Sequence, residues 1–246
     1  MNLPANLRFI GEGAKTMPEN MPEGRAAGME HAIVKAYRKT LWQPFIASVQ
    51  RYGLIPADEH VHVRLRMDGA LFTAAKLLQE MHRHTLFPFE LTFSADGAEA
   101  AALAADLGIP LSGPAGGETG VLPECMTDAV ETLMTSLLKE GSLRALPPVS
   151  SVSGARMIRP LYCVERRDLR RFALAWGLPW TEPDAQGGRR EIRALLDSLR
   201  AEDRDVETRL FRAAHATHPA TFPCAAGGSA SAPDSPGAIA ATEETR

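Results

Sequence analysis

The chain is poor in the residues that build metal and cluster sites. It carries three cysteines in 246 residues, Cys125, Cys163 and Cys224, and no Cys-x-x-Cys pair. Zinc ribbons and thiolate-held iron–sulfur clusters therefore find no ligand set in the sequence. No apolar run approaches the ~18 residues needed to cross a bilayer, so no membrane role is expected. The opening MNLPANLRFIGEGAKTMPEN has no apolar core of the secretory type. The expected compartment is the cytoplasm. A formal charge of -3 excludes a protein that is basic all over, but not a local basic face. There is no Gly-x-Ser-x-Gly elbow for a hydrolase nucleophile.

What is present is an ordinary globular composition, 45% apolar and 23% charged. Residues 1–28 are rich in Gly, Pro and Met and read as a loose lead-in. Met29 to Tyr52 shows helical spacing at Ile33, Tyr37, Leu41, Phe45 and Val49, with a kink or split expected at Pro44. Val61, Val63 and Leu65 alternate with His62 and Arg64, which is strand spacing. Asp68-Gly69 is a turn signal, and Ala70 to His84 follows as a helix. Phe87 to Phe93 is a second strand, and Ala98 to Leu107 a helix stopped at Gly108. This order predicts an α/β fold with a small parallel sheet flanked by helices.

Pro110 to Pro123 reads as a Gly/Pro linker. Thr127 to Glu140 reads as a helix capped by Thr127 and stopped at Gly141. Gly141 to Gly154 is expected to be a loop. Helices follow at Glu165 to Trp176, Arg189 to Arg200 and Asp203 to Ala214, giving a C-terminal helical region. From Pro219 the chain is Ala/Gly/Ser/Pro-rich, and 219–246 is expected to be a disordered tail. The domain expected between lead-in and tail is 29–218.

Three segments in order carry a resemblance: the helix followed by LIPADEHVHVRL, the run TDAVETLMTSLLKEGSLRALPPV, and MIRPLYCVERRDLRRFALAWGLPW. Together they resemble the ATP-dependent tRNA-modifying enzymes of the PP-loop superfamily. The tRNA 2-thiocytidine synthetases are the nearer group and the tRNA lysidine synthetases the more distant. The resemblance implies an adenine-nucleotide alpha-hydrolase-like fold. The short linker implies that part of the middle is missing.

In that family the first strand leads into a Ser-Gly-Gly-x-Asp-Ser loop whose backbone N–H groups converge on pyrophosphate. Here the register places Arg66, Met67, Asp68, Gly69, Ala70 and Leu71 there, and none of the residue types agrees. The family's His-His-x-Asp-Asp run ahead of Glu-Thr corresponds to Glu124, Cys125, Met126, Thr127 and Asp128, then Glu131 and Thr132. Asp128 and Glu131 remain, three apart on one helical face, and Arg159 stands in the Ile-Arg-Pro-Leu match. These three are the candidate remnants of a nucleotide pocket. First-turn acids favoured by the helix dipole are the other account of the first two.

The family's cysteine elements have no counterpart, so no iron–sulfur cluster is expected and no catalytic or metal-binding residue is assigned. Between Arg156 and Arg212 stand thirteen arginines, ten acids and no lysine. Arg166, Arg167, Arg170, Arg171, Arg189 and Arg190 are the candidate RNA contacts, because a guanidinium grips phosphate with two donors. Salt bridging with the interspersed acids is the alternative.

The expected protein is thus a member of this tRNA-modification family that is catalytically inactive and acts as a scaffold, with tRNA, a second copy or an intact paralogue as partner. The alternative is an active ATP- and magnesium-dependent enzyme with a divergent site. Two His-x-His pairs, His60/His62 and His82/His84, are noted as a weak metal pattern lacking a third ligand.

Overall fold

The structure, a computed structural model, describes residues 35–84, 88–113, 119–182 and 189–216. The lead-in, the tail, Phe87 and Cys224 lie outside those residues. The chain enters in helical conformation and passes through a π-helical turn, Arg38–Trp42, into α1, Gln43–Arg51. Pro44 falls in the first turn of α1, where its missing N–H needs no partner. The N–H of Gln43 reaches back five residues to the carbonyl of Arg38. The expected break at Pro44 is absorbed by this wider turn.

The sheet has five strands in the order β2-β1-β3-β5-β4. They are β1 (His60–Leu65), β2 (Glu90–Ala95), β3 (Thr119–Val121), β4 (Val149–Val152) and β5 (Ala155–Ile158). β1 pairs in parallel with β2 and β3, and β3 with β5; β4 is antiparallel to β5. The helices are α2 (Gly69–His84), α3 (Ala98–Asp106), α4 (Met126–Glu140), α5 (Arg166–Ala175), α6 (Arg189–Glu202) and α7 (Val206–Ala216).

Two expectations need correction. The linker expected at Pro110 to Pro123 carries a strand: β3 completes the sheet between β1 and β5, burying Thr119 and Val121. The loop expected at Gly141 to Gly154 carries β4, joined to β5 by Ser153 and Gly154, both at positive φ (52° and 83°). That conformation suits the two-residue hairpin turn.

The main core lies under α1, α2, α3 and α5. It includes Val61, Val63, Leu65, Phe72, Leu78, Phe93, Ile158 and Phe172. A second, smaller cluster joins α4 to α6 and α7 through Met126, Ala129, Val130, Tyr162, Ile192, Leu196 and Phe211. No described helix is long and apolar enough to cross a membrane.

Candidate functional site

In an open α/β sheet, ligands bind outside the carboxyl ends of the strands where the strand order reverses. Here the chain goes from β1 to β2 on one side and returns to β3 on the other. The reversal therefore lies between the loops after Leu65 and after Val121. Those loops hold Arg66 to Asp68 and Leu122 to Cys125, and Arg159 follows β5 beside them.

The first loop closes on itself. Asp68 Oδ1 accepts the backbone N–H groups of Ala70 (2.9 Å) and Leu71 (3.3 Å) at the start of α2. These are the helix-end donors that an anion would otherwise occupy. A carboxylate already fills the cradle, and Arg66 faces it at 3.5 Å. Gly69 is required for a different reason from phosphate approach. A Cβ there would lie 2.3 Å from the carbonyl oxygen of Pro179, so the glycine lets the chain after α5 press onto the α2 terminus. The capping role was readable in principle, since Asp directly before a helix is a start signal.

Asp128 and Glu131 do come together, with arginines rather than with a free pocket. Asp128 Oδ2 accepts the Cys125 N–H at 2.8 Å, closing a capping box. Thr127, expected as the cap, instead accepts the Arg166 N–H at 3.1 Å. Arg166 donates to Asp128 Oδ1 at 2.6 Å and to Glu131 Oε1 at 2.5 Å. Arg193, on α6, donates to both oxygens of Glu131 at 2.8 and 3.2 Å. Glu131 is fully buried. Burial alone would lower the Arg166 pKa, but the hydrogen bond to Glu131 and the charge of Asp128 outweigh it and hold the guanidinium charged above its usual range.

Arg159 is buried and turned to the β4 side. It donates to the Pro147 carbonyl (2.8 Å) and the Ser150 hydroxyl (3.0 Å). Its Nε lies 3.5 Å from Glu124 Oε2. Charge attracts the two, yet neither atom has a hydrogen-bond partner among the described residues. Burial pushes the Arg159 pKa down and the Glu124 charge partly restores it.

The other arginines differ in exposure. Arg167, Arg170, Arg171 and Arg190 are exposed and Arg189 is half-buried. Arg167 pairs with Glu165 and Arg170 with Glu182, while Arg171 lies over the Phe172 ring at 5.9 Å. Arg166, by contrast, is 11% exposed and committed to two carboxylates.

The histidine pairs go to separate partners. His62 meets Thr92 (2.9 Å) and Ser94 (2.8 Å), His60 meets Glu90, His82 meets the Phe89 carbonyl and His84 meets Glu80. Among the described residues no three metal-ligating side chains converge. Thiolates are what hold a four-iron cluster. Cys125 is buried at the start of α4, Cys163 is half-buried, and the chain has one further cysteine. Among the described residues neither thiol belongs to a converging group of three metal-ligating side chains.

No family model matches the chain. It is 40% identical over 73 residues to a tRNA(Ile)-lysidine synthase of Shigella flexneri, covering 28% of this chain and 17% of that protein. It is 30% identical over 99 residues to a tRNA-cytidine(32) 2-sulfurtransferase of Legionella pneumophila, covering 37% of this chain and 35% of that one. The chain thus spans about a third or less of the curated relatives it matches. Its fold matches the U34-tRNA thiolase NcsA of Methanococcus maripaludis, solved with its [4Fe-4S] cluster. The TM-score is 0.52 at 12% identity, over 71% of this chain and 77% of the thiolase. The chain has the α/β fold of the PP-loop ATP pyrophosphatase superfamily, with distant sequence similarity to its lysidine synthases and 2-thiocytidine sulfurtransferases.

Proposed function

We propose that this chain is a catalytically inactive member of the superfamily, a scaffold that contacts tRNA without activating ATP. The observation that carries this reading is the Asp68 carboxylate bonded to the Ala70 and Leu71 N–H groups. Pyrophosphate would have to displace an anion that is part of the chain, and would meet its charge on arrival. The candidate pocket acids support the same reading. Glu131 is paired with Arg166 and Arg193, and Asp128 with Arg166 while it also accepts the Cys125 N–H.

The tRNA contact rests on Arg167, Arg170, Arg171, Arg189 and Arg190; Arg166 serves the interior. Docking onto an intact paralogue would call for an apolar patch on the sheet. The β1–β2 face carries His60, His62, Arg64, Glu90, Thr92 and Ser94 instead, so RNA is preferred. The test is pyrophosphate release from magnesium–ATP with bulk tRNA present, alongside a gel-shift titration of the same tRNA. The reading expects no release and binding that weakens at least tenfold when Arg167, Arg170 and Arg171 become alanine. Stoichiometric release would overturn the inactive scaffold. Unchanged binding by the triple variant would overturn the arginine face.

A further inference from the structure

The main core takes its residues from Ala36 to Trp180 and none from α6 or α7. Those two helices meet the rest of the molecule through a cluster of seven buried residues, three of them their own: Ile192, Leu196 and Phe211. Much of what remains of the contact is ionic or polar. Arg193 of α6 holds Glu131 of α4, and Lys139 holds Glu191 at 3.1 Å. Glu207 of α7 accepts the Thr127 hydroxyl at 3.4 Å, and Thr208 donates to Glu165 at 3.0 Å. His215 sits against Tyr162 and Tyr52. Within the pair, Arg200 of α6 bonds Glu207 of α7, which ties the two helices to each other.

We propose that α6 and α7 form an arm that undocks from α4 as one unit while the sheet and its core stay folded. Cooperative sub-global opening follows contiguous packing units, and the units here are drawn by separate clusters. Undocking removes the Arg193 guanidinium from Glu131 and bares the α4 face built from Met126, Ala129 and Val130. Glu131 then keeps one cationic partner, Arg166, in place of two. The arm is thereby a conformational device that governs access to the acidic pair Asp128 and Glu131. This inference is independent of whether the chain binds tRNA.

The experiment is hydrogen exchange with mass spectrometry on the full chain, in wild type and in Arg193→Ala, with Lys139→Ala as a control at the exposed pair. In wild type the amides of α6 and α7 are expected to share one opening rate, about 100-fold or more above that of β1 and α2. Arg193→Ala is expected to raise both helices together by at least about tenfold, with Lys139→Ala within about twofold of wild type. Exchange of α6 and α7 at the rate of β1 and α2 in wild type would overturn the proposal. Acceleration of α6 without α7 by Arg193→Ala would overturn it as well. The wild-type measurement decides the matter even if a variant does not fold.

Discussion

Replacing Glu131 with glutamine tests the energetic reading of the interior directly. The carboxylate is fully buried and receives two guanidinium groups, Arg166 at 2.5 Å and Arg193 at 2.8 Å. Glutamine keeps the volume and removes the charge. Breaking a buried ion pair from one side costs about 3–5 kcal/mol, because the partner charge is left without compensation. Two features favour the low end. Arg166 keeps Asp128 at 2.6 Å, and Arg193 is 20% exposed and regains water. The expected loss is about 3 kcal/mol. At about 2–4 °C per kcal/mol for a chain of this size, the melting temperature should fall by about 6–12 °C. Urea denaturation followed by far-UV circular dichroism measures the loss. Arg64→Ala is the control, since Arg64 pairs with Asp96 while 73% exposed, and should cost under about 1 kcal/mol. A loss under about 1 kcal/mol for Glu131→Gln would refute the reasoning, because the network would then behave like a surface pair.

Gly69→Ala places a Cβ 2.3 Å from the Pro179 carbonyl oxygen. Backbone must move, and a destabilisation of about 1–3 kcal/mol is expected by denaturant titration. Asp68→Ala removes the acceptor for two helix-start N–H groups and should cost about 1 kcal/mol in the same assay. Burial pushes the Cys125 thiol well above its ordinary value of 9.0, helped by the nearby Asp128 charge. The folded chain holds that proton where the unfolded chain releases it. Its contribution to stability is therefore complete below pH 9.0 and lost as pH rises beyond it. Cys163, also raised by burial, acts in the same direction. Denaturation midpoints should decline through that alkaline range and decline less in Cys125→Ala; native Cys125 should also resist a thiol reagent that labels it after unfolding.

The parts of the fold written in local pattern were legible. β1 followed from Val61, Val63 and Leu65 alternating with polar residues, and α2 and α4 from their apolar spacing and glycine or aspartate boundaries. β3 was not legible, because three residues between glycines and prolines carry no periodicity. Their strand conformation comes from neighbours, with His62 and Met157 pairing on either side of Gly120. The β4–β5 hairpin left one signal, Ser153-Gly154 between Val152 and Ala155, which a turn reading would have caught. Asp128 and Glu131 were visible as a helical pair. Their arginine partners stand 35 to 62 positions away, and spacing along the chain does not reveal such contacts. Sequence comparison could note the mismatch of Asp68 with the phosphate loop. Only the geometry shows its carboxylate seated on the helix-end donors.

The most direct test of the account is calorimetry of magnesium–ATP against the purified wild-type chain, its fold verified by circular dichroism, with Asp128→Ala beside it. The closed cradle predicts no measurable binding heat at millimolar nucleotide. Micromolar binding that Asp128→Ala weakens would contradict it, because the anion site would then be open and the acidic pair in use.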